Sequence, residues 1–309
     1  MPTATLSSPH RSIFSPSTAP ERARNFEDYW EFSQRHSGAI LELDKNLTEK
    51  RAKLADFQAR PVRARCPLPD PDLFYRNYIK VRDKLDAFDR KTLLLTCIYK
   101  FARHEWVGIS GAWDAIPSMA EDKTTKERIS RYHLCEEFCH VRYFDEMLRI
   151  FHLDRFEWVP LGTLMNRVYR LFPKVPEPLM SPIAFVTELM GITFYQHVDR
   201  LLDDILADEP EARDRVRELL YEIMVDELAH IGQRRNFVGP LGIRFARLIT
   251  GLLIRAFFKN IPESALLFDV GAMAREARAF DYGGLPAGLL ERSWIPSYCR
   301  AAVTPSPAA

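Results

Sequence analysis

Two copies of one short motif, ninety residues apart, constrain this chain of 309 residues more than any other feature. Each copy reads acid-Glu-x-x-His, at residues 136–140 and again at 226–230. Residues three apart in an α-helix lie on one face, so the Glu and the His of each motif can bind one metal ion together. Chance placement would produce two such motifs in less than about one sequence in a hundred. Two helices that face each other could therefore hold two metal ions.

Helical periodicity extends through nearly all of the chain, and no alternating run of Val, Ile and Thr between turn residues indicates a sheet. Prolines, which lack the amide proton that a helix needs, mark the joints. The predicted helices are 26–59 with a break near 36–38, 72–89, 91–116, 124–152, 160–171, 179–207, 210–236, 239–258 and 262–280. We therefore expect an all-α fold, in which flanking helices surround a four-helix bundle of 91–116, 124–152, 179–207 and 210–236.

Both ends of the chain are predicted to lie outside a single helical domain. Residues 1–24 are rich in Ser, Pro and Ala and contain no acid before Glu21, which is typical of a disordered tail. They also lack the apolar stretch of a secretory signal. Residues 298–309 are expected to form a loose C-terminal tail. The domain would then span 25–297, with the metal-binding bundle at about 91–236.

Composition limits the expected surroundings and partners. The net charge of +1 and the pI near 7.7 give no basis for a nucleic-acid or membrane partner. Five cysteines form no Cys-x-x-Cys pair, so we expect a reducing cytoplasm and no disulfide framework. No segment is apolar for long enough to span a bilayer. A homodimer is expected if residues 248–258, the most apolar late segment, pack against a second copy.

The other two bundle helices each contain one isolated carboxylate. Glu105 is the only acid in residues 91–113, and Glu188 is the only acid in residues 180–198. Burying a lone carboxylate on an apolar helix is costly unless it is paired or bound to a metal. A bundle that holds two metal ions also requires one carboxylate from each of these helices.

Six side chains therefore make up the predicted metal site. The four carboxylates carry four negative charges, which two divalent ions would neutralise, so the assembled group could be buried. Oxygen and nitrogen ligands suit iron or manganese, and the lack of a thiolate at motif spacing disfavours zinc. The predicted ligands are Glu105, Glu137, His140, Glu188, Glu227 and His230.

Residues beside the motifs have further candidate roles. If the motif helices are antiparallel, Glu136 could accept the second ring proton of His230, and Asp226 that of His140. The alternative is that both acids are simply exposed. His133 lies on the same helical stripe as the first motif. It is either a seventh ligand, a hydrogen-bonding neighbour of the ligands, or an ordinary core or surface histidine.

Small residues near the predicted ligands indicate space for a substrate. Glycine in a helix interior costs stability unless a cavity or close packing requires it. Ordinary helix packing is the alternative explanation. The predicted substrate pocket consists of Gly108, Ile109, Ala112, Gly191, Ile192, Tyr195 and Ile223.

The order of the predicted ligands resembles the ferritin-like diiron-carboxylate superfamily. Oxygen-activating members of this superfamily carry Glu, Glu-x-x-His, Glu and Glu-x-x-His on successive helices, and the match covers about residues 91–236. The size, the extra helices and the Asp-Glu-x-x-His form are most similar to the p-aminobenzoate N-oxygenase group, which oxidises an arylamine nitrogen. That group carries a further histidine ligand one turn before the last Glu. This chain has Ile223 there, and His133 at the equivalent offset in the first motif.

The resemblance implies a ferritin-like bundle with two iron ions, or with manganese or a mixed pair. It implies an oxygenase that uses dioxygen to N-oxygenate, hydroxylate or desaturate a small organic substrate in an apolar chamber. Glu137 and Glu227 would bridge the two ions. Electrons would come from an external reductase, because the chain contains no Gly-x-Gly-x-x-Gly nucleotide motif.

Two alternatives stay open at this level. A ferritin-like protein could oxidise, store or sense iron without an organic substrate, although such proteins are usually shorter. A scaffold without metal would instead require the acids to pair with nearby arginines, such as Arg103, Arg142 and Arg234.

Overall fold

The computed structural model describes residues 10–66, 68–119 and 124–300, and these residues are mostly helical. The all-α class predicted from the sequence is confirmed. The only sheet among the described residues is a two-stranded antiparallel ribbon of β1 (Ile40–Leu41) and β2 (Asn46–Leu47). The helices are α1 (Ala19–Ser37), α2 (Thr48–Ala59), α3 (Pro71–Asn77), α4 (Arg90–Trp113), α5 (Thr125–Ile150), α6 (Thr163–Leu171), α7 (Glu177–Ile205), α8 (Pro210–Asn236), α9 (Pro240–Phe258), α10 (Ser264–Leu267), α11 (Val270–Arg278) and α12 (Ala287–Arg292).

Four long helices, α4, α5, α7 and α8, form the central bundle. Helix α4 packs against α5, α5 against α8, α8 against α7, and α7 against α4, which closes a ring. Each contributes fully buried side chains to the main core, for example Tyr99, Tyr143, Phe194 and Ile223. The two motifs lie on α5 and α8, which are neighbours in this ring.

The remaining helices cover the bundle from several sides. Helices α1 and α2 pack against α5, and α1 also contacts α8. Helix α6 lies on α4, while α9 and α11 lie on α7 and on each other. None of the described helices is both long and apolar enough to cross a membrane.

Three predicted helices have different bounds in the structure. The helix expected at 72–89 ends at Asn77, whose side-chain oxygen accepts hydrogen bonds from the amides of Arg82 and Asp83 at 2.7 and 3.0 Å and so holds a turn. The helix expected at 26–59 is divided by the β ribbon, which follows Gly38 at a φ of 75°. The helix expected at 262–280 is interrupted where Asp269 caps α11.

The prediction that residues 1–24 form a disordered tail is wrong for residues 10–24. Helix α1 starts at Ala19 because Thr18 and Glu21 form a capping box, a local signal that the tail prediction overlooked. Ile13 is fully buried, and its carbonyl accepts a hydrogen bond from Arg235 at 3.1 Å. The predicted C-terminal tail also begins too early, since Tyr298 and Cys299 are buried. The rest of both tails, residues 1–9 and 301–309, lies outside the described residues.

Replacing Thr18 by Ala should lower the free energy of unfolding by about 1 kcal/mol, because the side chain that caps the Glu21 amide is lost. Replacing it by Ser, which keeps the hydroxyl, should have little effect. Urea denaturation followed by circular dichroism measures both changes. Equal stability of the Ala variant and the unchanged chain would show that α1 is not anchored by this cap.

Candidate metal centre

The acid and histidine side chains of both motifs converge in the space between α5 and α8. His140 and His230 are completely buried, and Glu137 and Glu227 are 6% and 2% exposed. Charged groups this far from water need compensating charge or hydrogen bonds. The two motifs therefore form one buried polar centre and not two separate surface patches.

One group of potential ligand atoms combines two imidazoles with two carboxylates. His133, Glu137, Glu188 and His230 each place one such atom within 4.8 Å of the others. His230 Nδ1 lies 3.0 Å from Glu137 Oε1. His133 Nε2 lies 3.4 Å from the same oxygen and 3.5 Å from Glu188 Oε1. His133, which the sequence left with three possible roles, thus belongs to this group.

A second group shares Glu137 with the first. Glu137, His140 and Glu227 also place ligand atoms within 4.8 Å of one another. His140 Nδ1 lies 3.2 Å from Glu227 Oε1 and 3.5 Å from Glu137 Oε2. The two oxygens of Glu137 therefore face different groups, Oε1 the first and Oε2 the second. This is the arrangement of a carboxylate that can bridge two ions.

Glu105 lies beside the second group but outside both sets of clustered ligand atoms. Its Oε1 accepts a hydrogen bond from the hydroxyl of Tyr195. Its Oε2 is buried without a hydrogen-bond partner among the described residues. Burial, and then the charges of Glu137 and Glu227, raise the pKa of Glu105 well above its ordinary value. Five of the six predicted ligands are thus clustered, and the sixth is their electrostatic neighbour.

The crossed pairing predicted for the two preceding acids is present as hydrogen bonds. His140 Nε2 lies 3.1 Å from Asp226 Oδ2, and His230 Nε2 lies 2.8 Å from Glu136 Oε2. Because a carboxylate can only accept, each Nε2 donates its proton to its acid. Burial lowers the pKa of His140 and His230, but their hydrogen bonds to carboxylates outweigh burial and raise the pKa of both well above its ordinary value. Each Nδ1 faces the clustered carboxylates, so a metal ion bound there would take the place of the Nδ1 proton.

Further side chains, which the sequence did not predict, hold these two acids from the opposite side. Lys50 of α2 donates to Asp226 Oδ1 at 2.5 Å, and both side chains are buried. Ser37 of α1 donates to Glu136 Oε1 at 2.9 Å, and the Tyr29 hydroxyl lies 3.5 Å from Oε2. These contacts join helices that are about one hundred or more residues apart in the chain, so no local sequence pattern predicts them.

Two buried atoms at the centre, Nδ1 of His133 and Oε2 of Glu105, have no hydrogen-bond partner among the described residues. Two more, Nδ1 of His140 and Nδ1 of His230, face only carboxylate oxygens at 3.0 to 3.5 Å. Buried polar atoms are rarely left unpaired, so such a concentration calls for an explanation. All four are nitrogen or oxygen atoms of the kinds that bind divalent cations.

The charges at the centre also fit two divalent cations. The carboxylates that meet there are Glu105, Glu136, Glu137, Glu188, Asp226 and Glu227. Of the lysine and arginine side chains that the structure describes, only Lys50 and Arg234 contact these acids, so four negative charges are left when the imidazoles are neutral, as metal ligands are. The repulsion is evident at Glu188, where burial and then Glu227 and Glu137 raise the pKa to about 8. Two divalent ions would remove this excess.

Pairing with arginines does not account for the buried acids. Arg234 Nε lies 3.3 Å from Glu188 Oε1, but the other two candidate arginines bind backbone carbonyls. Arg103 donates to Val159, Ile79 and Pro160, and Arg142 donates to Lys45, Phe138 and Asp44. Arginine pairing therefore accounts for Glu188 alone, because the other acids contact histidines, Lys50 or hydroxyl groups.

Two of the predicted pocket residues lie directly at the centre. A Cβ atom on Gly191 would come within 3.2 Å of Glu227 Oε2, so glycine leaves room for that carboxylate. Tyr195 is fully buried and donates to Glu105. Ile192 and Ile223 are fully buried in the main core. These positions are explained by close packing around the ligands.

The other predicted pocket residues lie along α4, on the side that α6 covers or next to it. A Cβ atom on Gly108 would lie 3.4 Å from the ring of Tyr169. Ile109 and Ala112 pack in a separate apolar cluster with Trp113. The space beside Gly108 is thus filled by an aromatic ring of α6 and is not an open chamber.

A cavity of about 430 Å³ lies on the outer side of α4. Its wall includes His104, whose Nδ1 lies 3.0 Å from the Tyr169 hydroxyl. Burial, and then Glu105, raise the pKa of Tyr169, which places this tyrosine within the electrostatic reach of the metal centre. His104 at the cavity wall and its partner Tyr169 therefore link the cavity to the surroundings of Glu105.

Comparison of the chain with protein-family models, with curated proteins and with solved structures finds no match. The geometry of the centre must therefore support any conclusion about function by itself.

Replacing Asp226 by Asn should weaken metal binding by about 10- to 100-fold, because His140 loses its charged acceptor. Glu222 is a matched control, since it is a buried acid one turn earlier on α8 that pairs with Lys53 and Arg292 outside the centre. Chelator competition with Mn²⁺ and Fe²⁺ measures both affinities, and circular dichroism verifies folding. Equal weakening by Glu222→Gln would contradict the assignment.

Proposed function

We propose that this protein is an oxygen-activating oxygenase that holds two iron ions in a ferritin-like bundle. The observation that carries the proposal is the position of Glu137, whose two oxygens face two separate groups of ligand atoms. A pair of iron ions would supply the redox chemistry that activates dioxygen. The donor set of imidazoles and carboxylates, without a thiolate, suits iron, with manganese or a mixed pair as the alternative.

Each of the two groups would bind one ion, and Glu137 belongs to both groups. One ion would be held by His133, Glu137, Glu188 and His230. The other would be held by Glu137, His140 and Glu227, with Glu105 as the carboxylate that completes the set. His133 would then supply the additional histidine expected from the resemblance, from the helix of the first motif instead of the second.

The protein's own side chains orient the ligands and control protons. Asp226 and Glu136 fix the rings of His140 and His230 with Nδ1 towards the ions. Burial, and then Glu105, raise the pKa of Tyr195 well above its ordinary value, so its hydroxyl keeps its proton and donates to Glu105. Packing on all sides excludes bulk water, which strengthens these electrostatic interactions.

We place the organic substrate on the α6 side of Glu105. The cavity outside α4 is large enough for a small molecule, His104 forms part of its wall, and Tyr169 contacts His104. Movement of the Tyr169 ring away from Gly108 would open the way. Oxygen transfer to an amine, hydroxylation and desaturation all fit this placement. An external reductase would return electrons to the iron pair.

The proposal is tested by anaerobic loading with Fe²⁺ followed by exposure to oxygen. We expect two iron ions per chain and a transient visible absorbance, whose decay accelerates in the presence of one compound among amines, fatty acids and aromatic acids. Glu137→Ala should lose both ions, because Glu137 belongs to both groups. Glu222→Gln is the control and should keep them.

Two results would contradict the proposal. If the unchanged chain bound fewer than two iron ions, it would not contain the proposed iron pair. An oxygen reaction that no organic compound alters would favour a protein that oxidises or stores iron.

A further inference from the structure

Two flanking helices, α6 and α9, carry exposed apolar stripes with the same spacing. The stripes follow the pattern i, i+4, i+7, which keeps their side chains within one narrow sector of each helix. They contain seven of the eleven large apolar side chains that are exposed among the described residues, with exposures from 47% to 80%. These side chains are Leu164, Val168 and Leu171 on α6, and Leu241, Phe245, Leu248 and Leu252 on α9.

The two helices lie next to each other on the outside of the bundle. The ring of His104 on α4 is 6.0 Å from the ring of Tyr169 on α6 and 4.8 Å from that of Phe257 on α9. Helix α6 packs on α4, and α9 packs on α7 through buried residues such as Ile243 and Ile254. The ring that contacts His104 lies roughly opposite the apolar stripe on each helix, at about 100° per residue, so both stripes point away from the bundle.

Every charged side chain on these two helices is an arginine. Helix α6 contains two and α9 contains three, and neither helix contains an acid. All five are exposed, and none pairs with an acid among the residues that the structure describes. The five are Arg167, Arg170, Arg244, Arg247 and Arg255. We call the two stripes with these arginines the basic apolar face.

We propose that the basic apolar face binds the surface of an anionic lipid bilayer. Leucines that follow one face of a helix can enter the boundary of the acyl chains, while the neighbouring guanidinium groups bind lipid phosphates. Because no described helix can cross a membrane, the protein would lie on the bilayer and not span it. The net charge of +1 gave no basis for a membrane partner, because it is summed over the whole chain and does not show this local concentration of arginines.

A second copy of the chain fits this face less well than a lipid surface does. Two copies that met through α6 and α9 would bring two sets of five arginines together without an acid on either side. Like charges that face each other across an interface oppose association. An anionic bilayer supplies both an apolar layer and the opposite charge. The dimer expected from residues 248–258 is therefore the outcome that competes with this proposal.

Vesicle sedimentation with the full chain tests the proposal. We expect partition to phosphatidylcholine vesicles with about 30% phosphatidylglycerol to exceed partition to pure phosphatidylcholine at least about tenfold, and to fall in about 0.5 M salt. Leu248→Ser combined with Leu252→Ser should weaken binding at least about tenfold. Arg244→Gln combined with Arg255→Gln should reduce the preference for anionic vesicles. Leu43→Ser is the matched control, since Leu43 is fully exposed in the turn between β1 and β2.

Three results would overturn the proposal. The first is equal partition of the unchanged chain to anionic and neutral vesicles. The second is an equal effect of Leu43→Ser and the double leucine variant. The third is a dimer in the absence of lipid that the double leucine variant dissociates, as measured by analytical ultracentrifugation. Binding does not depend on the metal ligands, so Glu137→Ala should bind vesicles normally even if the proposed oxygenase function fails.

Discussion

The burial of carboxylates between α5 and α8 is the constraint on which the rest of the molecule depends. Six acids from the four bundle helices meet at this centre, and Lys50 and Arg234 are the only lysine or arginine side chains of the described residues that contact them. Uncompensated charge at this depth would cost more than the about 5–15 kcal/mol by which a typical domain is stable. The bundle therefore needs ions or protons at its centre, and the grouping of imidazole nitrogens with carboxylate oxygens suits divalent ions.

The flanking helices give different partners to the two acids that orient the histidines of the centre. Asp226, which orients His140, contacts a buried ammonium group, whereas Glu136, which orients His230, contacts only hydroxyl groups. Lys50 therefore offsets the charge of the acid behind His140, and no lysine or arginine among the described residues contacts the acid behind His230. The group that contains His133 instead has Arg234 beside Glu188, so the two candidate ion positions differ in both ligands and field.

The features that the sequence predicted correctly are those that the local geometry of a helix determines. Spacing of three residues placed each Glu and His on one face, and the isolated acids on two apolar helices identified Glu188 as a member of the cluster. Contacts between distant segments had no such signal, as the ion pair of Lys50 with Asp226 shows. The local turn held by Asn77 was also missed, because the helical periodicity continues through it. The basic apolar face was missed for a different reason, because net charge does not report how charge is distributed.

A crystal structure of the chain loaded with Fe²⁺, with anomalous scattering recorded at the iron edge, tests the central claim most directly. The account predicts two iron peaks on either side of Glu137. One should be ligated by His133, Glu188 and His230, and the other by His140 and Glu227. A single peak, or iron bound elsewhere while these side chains keep only one another as partners, would contradict it.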